Sequence, residues 1–375
     1  MQIVNFVLLC IFIISLGILY QKYLDKKTQL IDMNDYSDIQ KYLLKDTKYL
    51  LESDKPILWV HIPYEYNSRQ WYDFGSRSSY DLNQPYLYLT VRSIIKNCEK
   101  SFKIVLVDDQ TFEKIIPNWS IDMNYISMPS KCYIRQLAMA KLIYIYGGVN
   151  IPISFLCFRD LISLYESGTR EEKMFVCENI DKNSSSSVKL FSPNCEFFGA
   201  DKENETIKQL INFMEVEISS NFTNEINFLG NFNNWCLQRI NENNANLIEG
   251  YLVGVKTLDN DAITVETLLS DNYIHFYPKT YGIWIPNRDI LNRTHYEWFS
   301  RMSSEQIFDS QFILAKYFIL AMAPDSQMGV IEPLENKPNW IDFWRVPLTN
   351  NTLNIFGPKP IYLGNNVPRG KPIST

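Results

Sequence analysis

Two adjacent carboxylates, Asp108 and Asp109, close the apolar run "SFKIVLVDD", and a single guanidinium, Arg135, interrupts the apolar segment "YIRQLAMAKLIYIYGG" that follows. Carboxylates at the carboxyl end of a strand stand where open α/β sheets bind ligands, so either Asp can touch a nucleotide. An arginine nearby grips phosphate through parallel N–H groups. Each residue also has a structural use. The aspartates can begin a turn or cap a helix ahead of "QTFEKIIP". Arg135 on an apolar helix needs a partner, and Asp108 or Asp109 is the natural one, a pairing favoured over phosphate binding because buried charges are usually paired. Trp59 and His61 end another short apolar run, "KPILWVHIP", where a tryptophan serves either as core or as a stacking platform for a base. The three histidines are far apart, no Cys-x-x-Cys pair occurs among the seven cysteines, and Glu65, Arg69, Asp73 and Arg77 show no metal spacing in their long polar-aromatic loop. No metal and no cofactor are expected.

The elements that must position these groups are legible as apolar runs. "KPILWVHIP" and "SFKIVLVDD" have the continuous apolar character of strands buried on both faces. Between them "PYLYLTVRSIIKNC" repeats Leu87, Leu89, Val91, Ile94 and Ile95 at near-helical spacing after Pro85. Ser130 can cap a helix reaching Tyr146, Gly147–Gly148 ends it, and its apolar character nearly all round predicts burial. "VNIPISFLCF" reads as the third strand. Strand, helix, strand, helix, strand predicts an α/β core with parallel pairing. Further on, "LFSPNCEFFGA" reads as a strand and "ENETIKQLINFMEVEIS" as a capped amphipathic helix burying Ile207, Leu210, Ile211 and Met214. "NYIHFYP" and "YGIWIP" read as two strands, and "SSEQIFDSQFILAKYFILAMA" as one helix too charged to be a membrane span.

At 375 residues, with 46% hydrophobic and 14% aromatic content, the chain is long and apolar enough to bury a large core. A net charge of −6 without a basic stripe excludes the usual electrostatics of nucleic-acid binding. The uncharged run over residues 3–20 would span about 27 Å as a helix, matching a bilayer's hydrocarbon core. A cleaved signal peptide would want a positive start, a shorter apolar core and a small-residue cleavage site, none of which is present. The expectation is a single-pass membrane protein: anchor 1–21, juxtamembrane stalk 22–54, core domain 55–322 and loop-rich extension 323–375. Lys22, Lys26 and Lys27 favour a cytoplasmic soluble domain, whereas six Asn-x-Ser/Thr sequons, at Asn118, Asn183, Asn204, Asn221, Asn292 and Asn350, favour the lumenal side. The side stays open. The six cysteines outside the anchor can pair in an oxidising compartment or serve as small buried hydrophobes.

The two short strands, the helix, "YGG" and the strand after it resemble GT-A glycosyltransferases of the capsular-polysaccharide and mannosyltransferase-like group, and the likeness extends through "CEFFGADKENETIKQLINFM". The resemblance implies a GT-A-like, mixed and mostly parallel sheet flanked by helices behind an N-terminal transmembrane helix. It implies a Ser-Asp-x-x-Arg helix motif that holds the donor, and an Asp-x-Asp whose carboxylates hold a divalent cation against the departing diphosphate. In register, those four positions fall on Gln136, Met139, Pro152 and Ser154, and all four have changed. Neither Pro nor Met ligates a hard cation. By the same resemblance Trp59 and His61 lie where the nucleotide base binds. A narrower likeness, carried by "WVHIPYEYNSRQW", "FGSRSSYDLNQPYL" and "YGGVNIPISFLC", is to membrane proteins of large cytoplasmic DNA viruses with a transferase-like domain lacking Asp-x-Asp. The expectation is a degenerate transferase-like protein that retains at most nucleotide-sugar or glycan binding. An active metal-independent transferase and a structural membrane protein are the alternatives.

Overall fold

The computed structural model describes residues 15–20, 42–44, 50, 55–63, 86–126, 130–181, 190–220, 225–292, 294–300, 302 and 304–322. The chain divides into two units, Met1–Leu43 and Leu44–Thr375. In the first, residues 15–20 are helical and exposed. Among the described residues no helix is long and apolar enough to cross a membrane, and the rest of the expected anchor, residues 3–14, lies outside them. So do most of the stalk, the loop over 64–85 with Glu65, Arg69, Asp73 and Arg77, and the extension over 323–375.

The second unit is built on a six-stranded, mostly parallel sheet. Strands β1 (Ile57–His61), β2 (Lys103–Val107) and β3 (Gly148–Ile151) are parallel, with β1 between the other two. Their residues are buried on both faces, which is why the sequence shows unbroken apolar runs rather than alternation. Helix α1 (Tyr86–Cys98) connects β1 to β2, and α2 (Thr111–Ile115) and α3 (Ser130–Tyr146) connect β2 to β3. Gly147 (φ 73°) and Gly148 (φ 103°) end α3 and begin β3, and a Cβ on Gly148 would lie 2.0 Å from the Ile57 carbonyl oxygen. Only glycine allows β3 to pair so closely beside β1.

The third strand departs from expectation. "VNIPISFLCF" is not one strand but two: β3 stops at Ile151, and after a turn β4 (Phe155–Cys157) joins a separate two-stranded sheet with β8 (Gly282–Trp284). Pro152 is the cause. It has no N–H to extend the ladder, and its carbonyl accepts the Phe155 N–H at 3.0 Å to close the turn.

After β4 come α4 (Ile162–Gly168), β5 (Met174–Ile180), β6 (Phe191–Ala200), α5 (Glu205–Ser219), α6 (Glu225–Asn241) and β7 (Ala245–Ile248). Strand β6 is antiparallel to both β3 and β5, and β7 is parallel to β5, giving the order β2-β1-β3-β6-β5-β7. Strand β5, a short "MFVC" run with a polar end, and helix α6 have no counterpart in the sequence reading. Asn204 caps α5, accepting from the Thr206 and Ile207 amides, and the four predicted residues of α5 are the buried ones. One sheet face carries α3, α5 and α6 over a core that includes Trp59, Val105, Phe198 and Met214. Helix α1 packs against β4 and against α11 (Ile313–Met322).

Two further expectations fail. "NYIHFYP" is irregular, because the Phe276 amide turns back to the Ile274 carbonyl at 2.9 Å instead of joining a neighbouring strand. The long C-terminal helix is broken into α10 (Ser304–Phe308) and α11, with α7 (Val265–Leu268), α8 (Asn287–Asn292) and α9 (Glu297–Ser300) preceding them. Ser310 lies at the break, its hydroxyl donating to the Gln306 carbonyl and its amide to Ile307, local bonds that compete with helix continuation.

Candidate functional site

The carboxyl ends of β1 and β2 and one face of α3 meet at Asp109. Strand β2 ends at Val107, leaving both aspartates beyond the ladder, and they turn opposite ways. Asp108 folds back on the next helix, its Oδ1 accepting the Thr111 amide at 2.8 Å and the Thr111 hydroxyl at 2.6 Å. That is the turn-and-cap role, and it uses the carboxylate locally. Asp109 points inward. It receives Arg135 in a two-pronged pair, Nε to Oδ1 at 2.8 Å and an Nη2 hydrogen to Oδ2 at 2.7 Å. The His61 Nε2 lies 2.9 Å from the same Oδ1, and the Lys131 Nζ 3.5 Å from Oδ2. The His61 ring stacks on Phe112, centroids 5.4 Å apart.

Burial alone would push the Asp109 carboxyl up, but the hydrogen bonds from His61 and Arg135 and their charges outweigh it and hold Asp109 well below the usual carboxylate range. For His61 burial wins over the attraction of Asp109, and its pKa is lowered. The stable pairing is therefore an ionised Asp109 accepting from a neutral imidazole, which leaves Nδ1 as the ring's acceptor. Arg135, with its side chain 8% exposed, is committed to Asp109, whereas Lys131, 20% exposed, stands at the rim as a cation only loosely engaged. The predicted ion pair exists, and its partner is Asp109 rather than Asp108.

The remaining sequence-derived positions are not brought to this rim. Trp59 is fully buried, with its indole N–H donating to the Gly147 carbonyl at 3.0 Å, so its ring faces are core and present no stacking platform. Met139 is core as well. Gln136 is buried, and its Oε1 has no hydrogen-bond partner among the described residues. Pro152 and Ser154 occupy the turn after β3. Ser154 is 1% exposed, and its hydroxyl donates to the Ile285 carbonyl at 2.8 Å. Among the described residues, no group of three or more His, Cys, Asp or Glu is arranged to hold a metal ion.

A cleft of mixed lining, with Ile180, Val255 and Ile263 beside its polar groups, lies at the same edge of the sheet, since β5 runs in the direction of β1 and β3 and ends there. Asn179 at the end of β5, Asn194 and Glu196 on β6, Asn233 on α6, and Trp284 and Arg288 at and after β8 line it. Asn179 and Asn194 each spend the side-chain carbonyl on a backbone amide, of Ile180 and Glu196, at 2.8 Å, so the NH2 groups are the donors these side chains have to offer. Glu196 Oε1 pairs with an Arg288 Nη2 hydrogen at 2.7 Å, so the one acid and one base of this lining cancel. Donors and acceptors with no net charge suit a neutral, hydroxyl-bearing ligand.

Sequence reasoning missed Lys131 and the cleft. Lys131 was within reach: it lies four residues before Arg135, one turn earlier on the same helical face. The cleft was not, because its asparagines, Asn179, Asn194, Asn233 and Asn287, come from four elements and carry no spacing signature. A scan against models of protein families and a search of curated proteins return no match to the chain.

Proposed function

We propose that this is a membrane-anchored protein with a glycosyltransferase-like, GT-A-type domain in which the Asp-x-Asp site has been lost, and that it binds a nucleotide-sugar or glycan without a metal ion. The turn after β3 carries this reading. There, where the resemblance expects two metal-binding carboxylates, stand a ring-closed Pro152 and a buried Ser154 whose hydroxyl is spent on Ile285, while the parallel strands around the turn keep their pairing. The His61, Asp109, Lys131 and Arg135 group at the strand ends supports nucleotide binding, and the uncharged polar cleft along the same edge supports a sugar.

A second reading, an active metal-free transferase, is favoured by one observation: Lys131, only loosely engaged by Asp109, brings a cation to the edge where a leaving diphosphate would develop charge. Thermal shift of the full chain in detergent, with UDP- and GDP-sugars and with EDTA or manganese, separates the readings. Binding predicts a Tm rise of about 3–6 °C at ligand near 100 Kd, equal with EDTA and manganese and reduced in Lys131→Ala, with no sugar released. Turnover of a donor that Lys131→Ala abolishes would establish the second reading, and no shift with any nucleotide-sugar or glycan would leave a structural membrane protein. The resemblance to viral membrane proteins suggests a virion or host endomembrane location. Resistance of the full chain to alkaline carbonate extraction tests the anchor.

A further inference from the structure

Four cysteines meet in two pairs across elements distant in the chain. Cys195 on β6 and Cys236 on α6 have their sulfurs 3.3 Å apart. Cys98, the last residue of α1, and Cys157, the last of β4, have theirs 3.8 Å apart. All four are at least 97% buried. Each pair joins a helix to the strand it packs on, the partners standing 41 and 59 positions apart in the chain. Shifts of about 1–2 Å would bring either pair to the ~2.05 Å of a sulfur–sulfur bond. Of the other described cysteines, Cys177 is buried and Cys132 half-buried.

We infer that Cys195–Cys236 and Cys98–Cys157 are two disulfide sites that close when the chain folds in an oxidising compartment and stay dithiols in a reducing one. This inference is independent of the glycosyltransferase-like reading. The oxidant is a small or protein disulfide, such as oxidised glutathione. One cysteine thiolate attacks it and releases one glutathione thiol, and the second thiolate then displaces the other glutathione from the mixed disulfide. Two protein thiols thereby lose two electrons and two protons, and one glutathione disulfide becomes two thiols. Burial holds the Cys157 thiol well above its ordinary range, and the contact with Cys195 followed by burial does so for Cys236. Thiolate is therefore scarce once the core has closed, so exchange belongs to folding rather than to the finished protein.

The test is a cysteine map of the full chain. The reduced, denatured protein is refolded in detergent with a glutathione redox buffer, alkylated, digested and examined by mass spectrometry without reduction. Linked 195–236 and 98–157 peptides are expected, with Cys10 and Cys177 alkylated. Dithiothreitol should lower the Tm of the oxidised protein by about 5–10 °C. The Cys195→Ser/Cys236→Ser variant should retain the 98–157 link alone, and Cys98→Ser/Cys157→Ser the 195–236 link alone. Recovery of the four thiols in alkylated form, or in other pairings, overturns the inference. If refolding yields no soluble protein, the same map on full chain expressed in cells with an oxidising cytosol decides by the same criteria.

Discussion

Asp109 accepts from an imidazole and a guanidinium at once, and this decides how the edge of the sheet responds to acid. The folded-state pKa of His61 is lowered, so below its unfolded value of about 6.5 the unfolded chain takes up a proton that the folded chain refuses. Stability therefore falls as pH drops through and below that value. The carboxyl of Asp109 is depressed instead, and its contribution, fully present above the ordinary carboxylate range near 4, is lost as pH falls below it. Two windows of acid destabilisation follow. His61→Gln keeps a donor toward Asp109 but cannot titrate, so the fall in Tm between about pH 6.5 and 5 should shrink while the fall below pH 4 remains. The lowered pKa of His295, also from burial, accounts for a residual slope in the upper window. Tm measured across pH for the two proteins checks this, and identical profiles would show that His61 is not held neutral.

Helix α3 and the strand after it show how an element sets the site. Ser130 to Tyr146 is helical as the sequence pattern implies, and the helix presents Lys131 and Arg135 one turn apart to the carboxyl end of β2. Its exit depends on Gly148, which combines a positive φ with an approach to the Ile57 carbonyl that leaves no room for a side chain. Gly148→Ala should cost about 3 kcal/mol or more, read as a lower midpoint of urea unfolding. A loss of only a few tenths would mean that β3 can shift away from β1 without penalty. The run over 149–158 reads as one strand although β3 ends at Ile151 and β4 begins at Phe155, because an apolar run carries no mark of a change of sheet, and Pro152 was weighed as a lost ligand rather than as a strand breaker.

Across the second unit, the sheet divides stability unevenly. Strands β1 and β3 have neighbours on both sides, whereas among the described residues β7 lies at an edge and pairs only with β5. Central amides are bonded in both directions and covered on both faces, so their exchange requires global opening, while edge amides open locally. Hydrogen exchange followed by mass spectrometry should show peptides covering β1 and β3 protected at least tenfold longer than those covering β7. Equal protection would place the cooperative core elsewhere. By itself the sequence determined the buried strands β1 and β2, the limits of α1, α3 and α5 and the need of Arg135 for an acidic partner, because period, burial and capping are written in neighbouring residues. The tertiary structure alone decided that Asp109 and not Asp108 is that partner, that β6 runs against its neighbours, that four asparagines from four elements share one cleft, and that four scattered cysteines stand in two pairs. These are contacts between residues far apart in the chain, and local pattern carries no information about which distant segments a closed core will bring face to face.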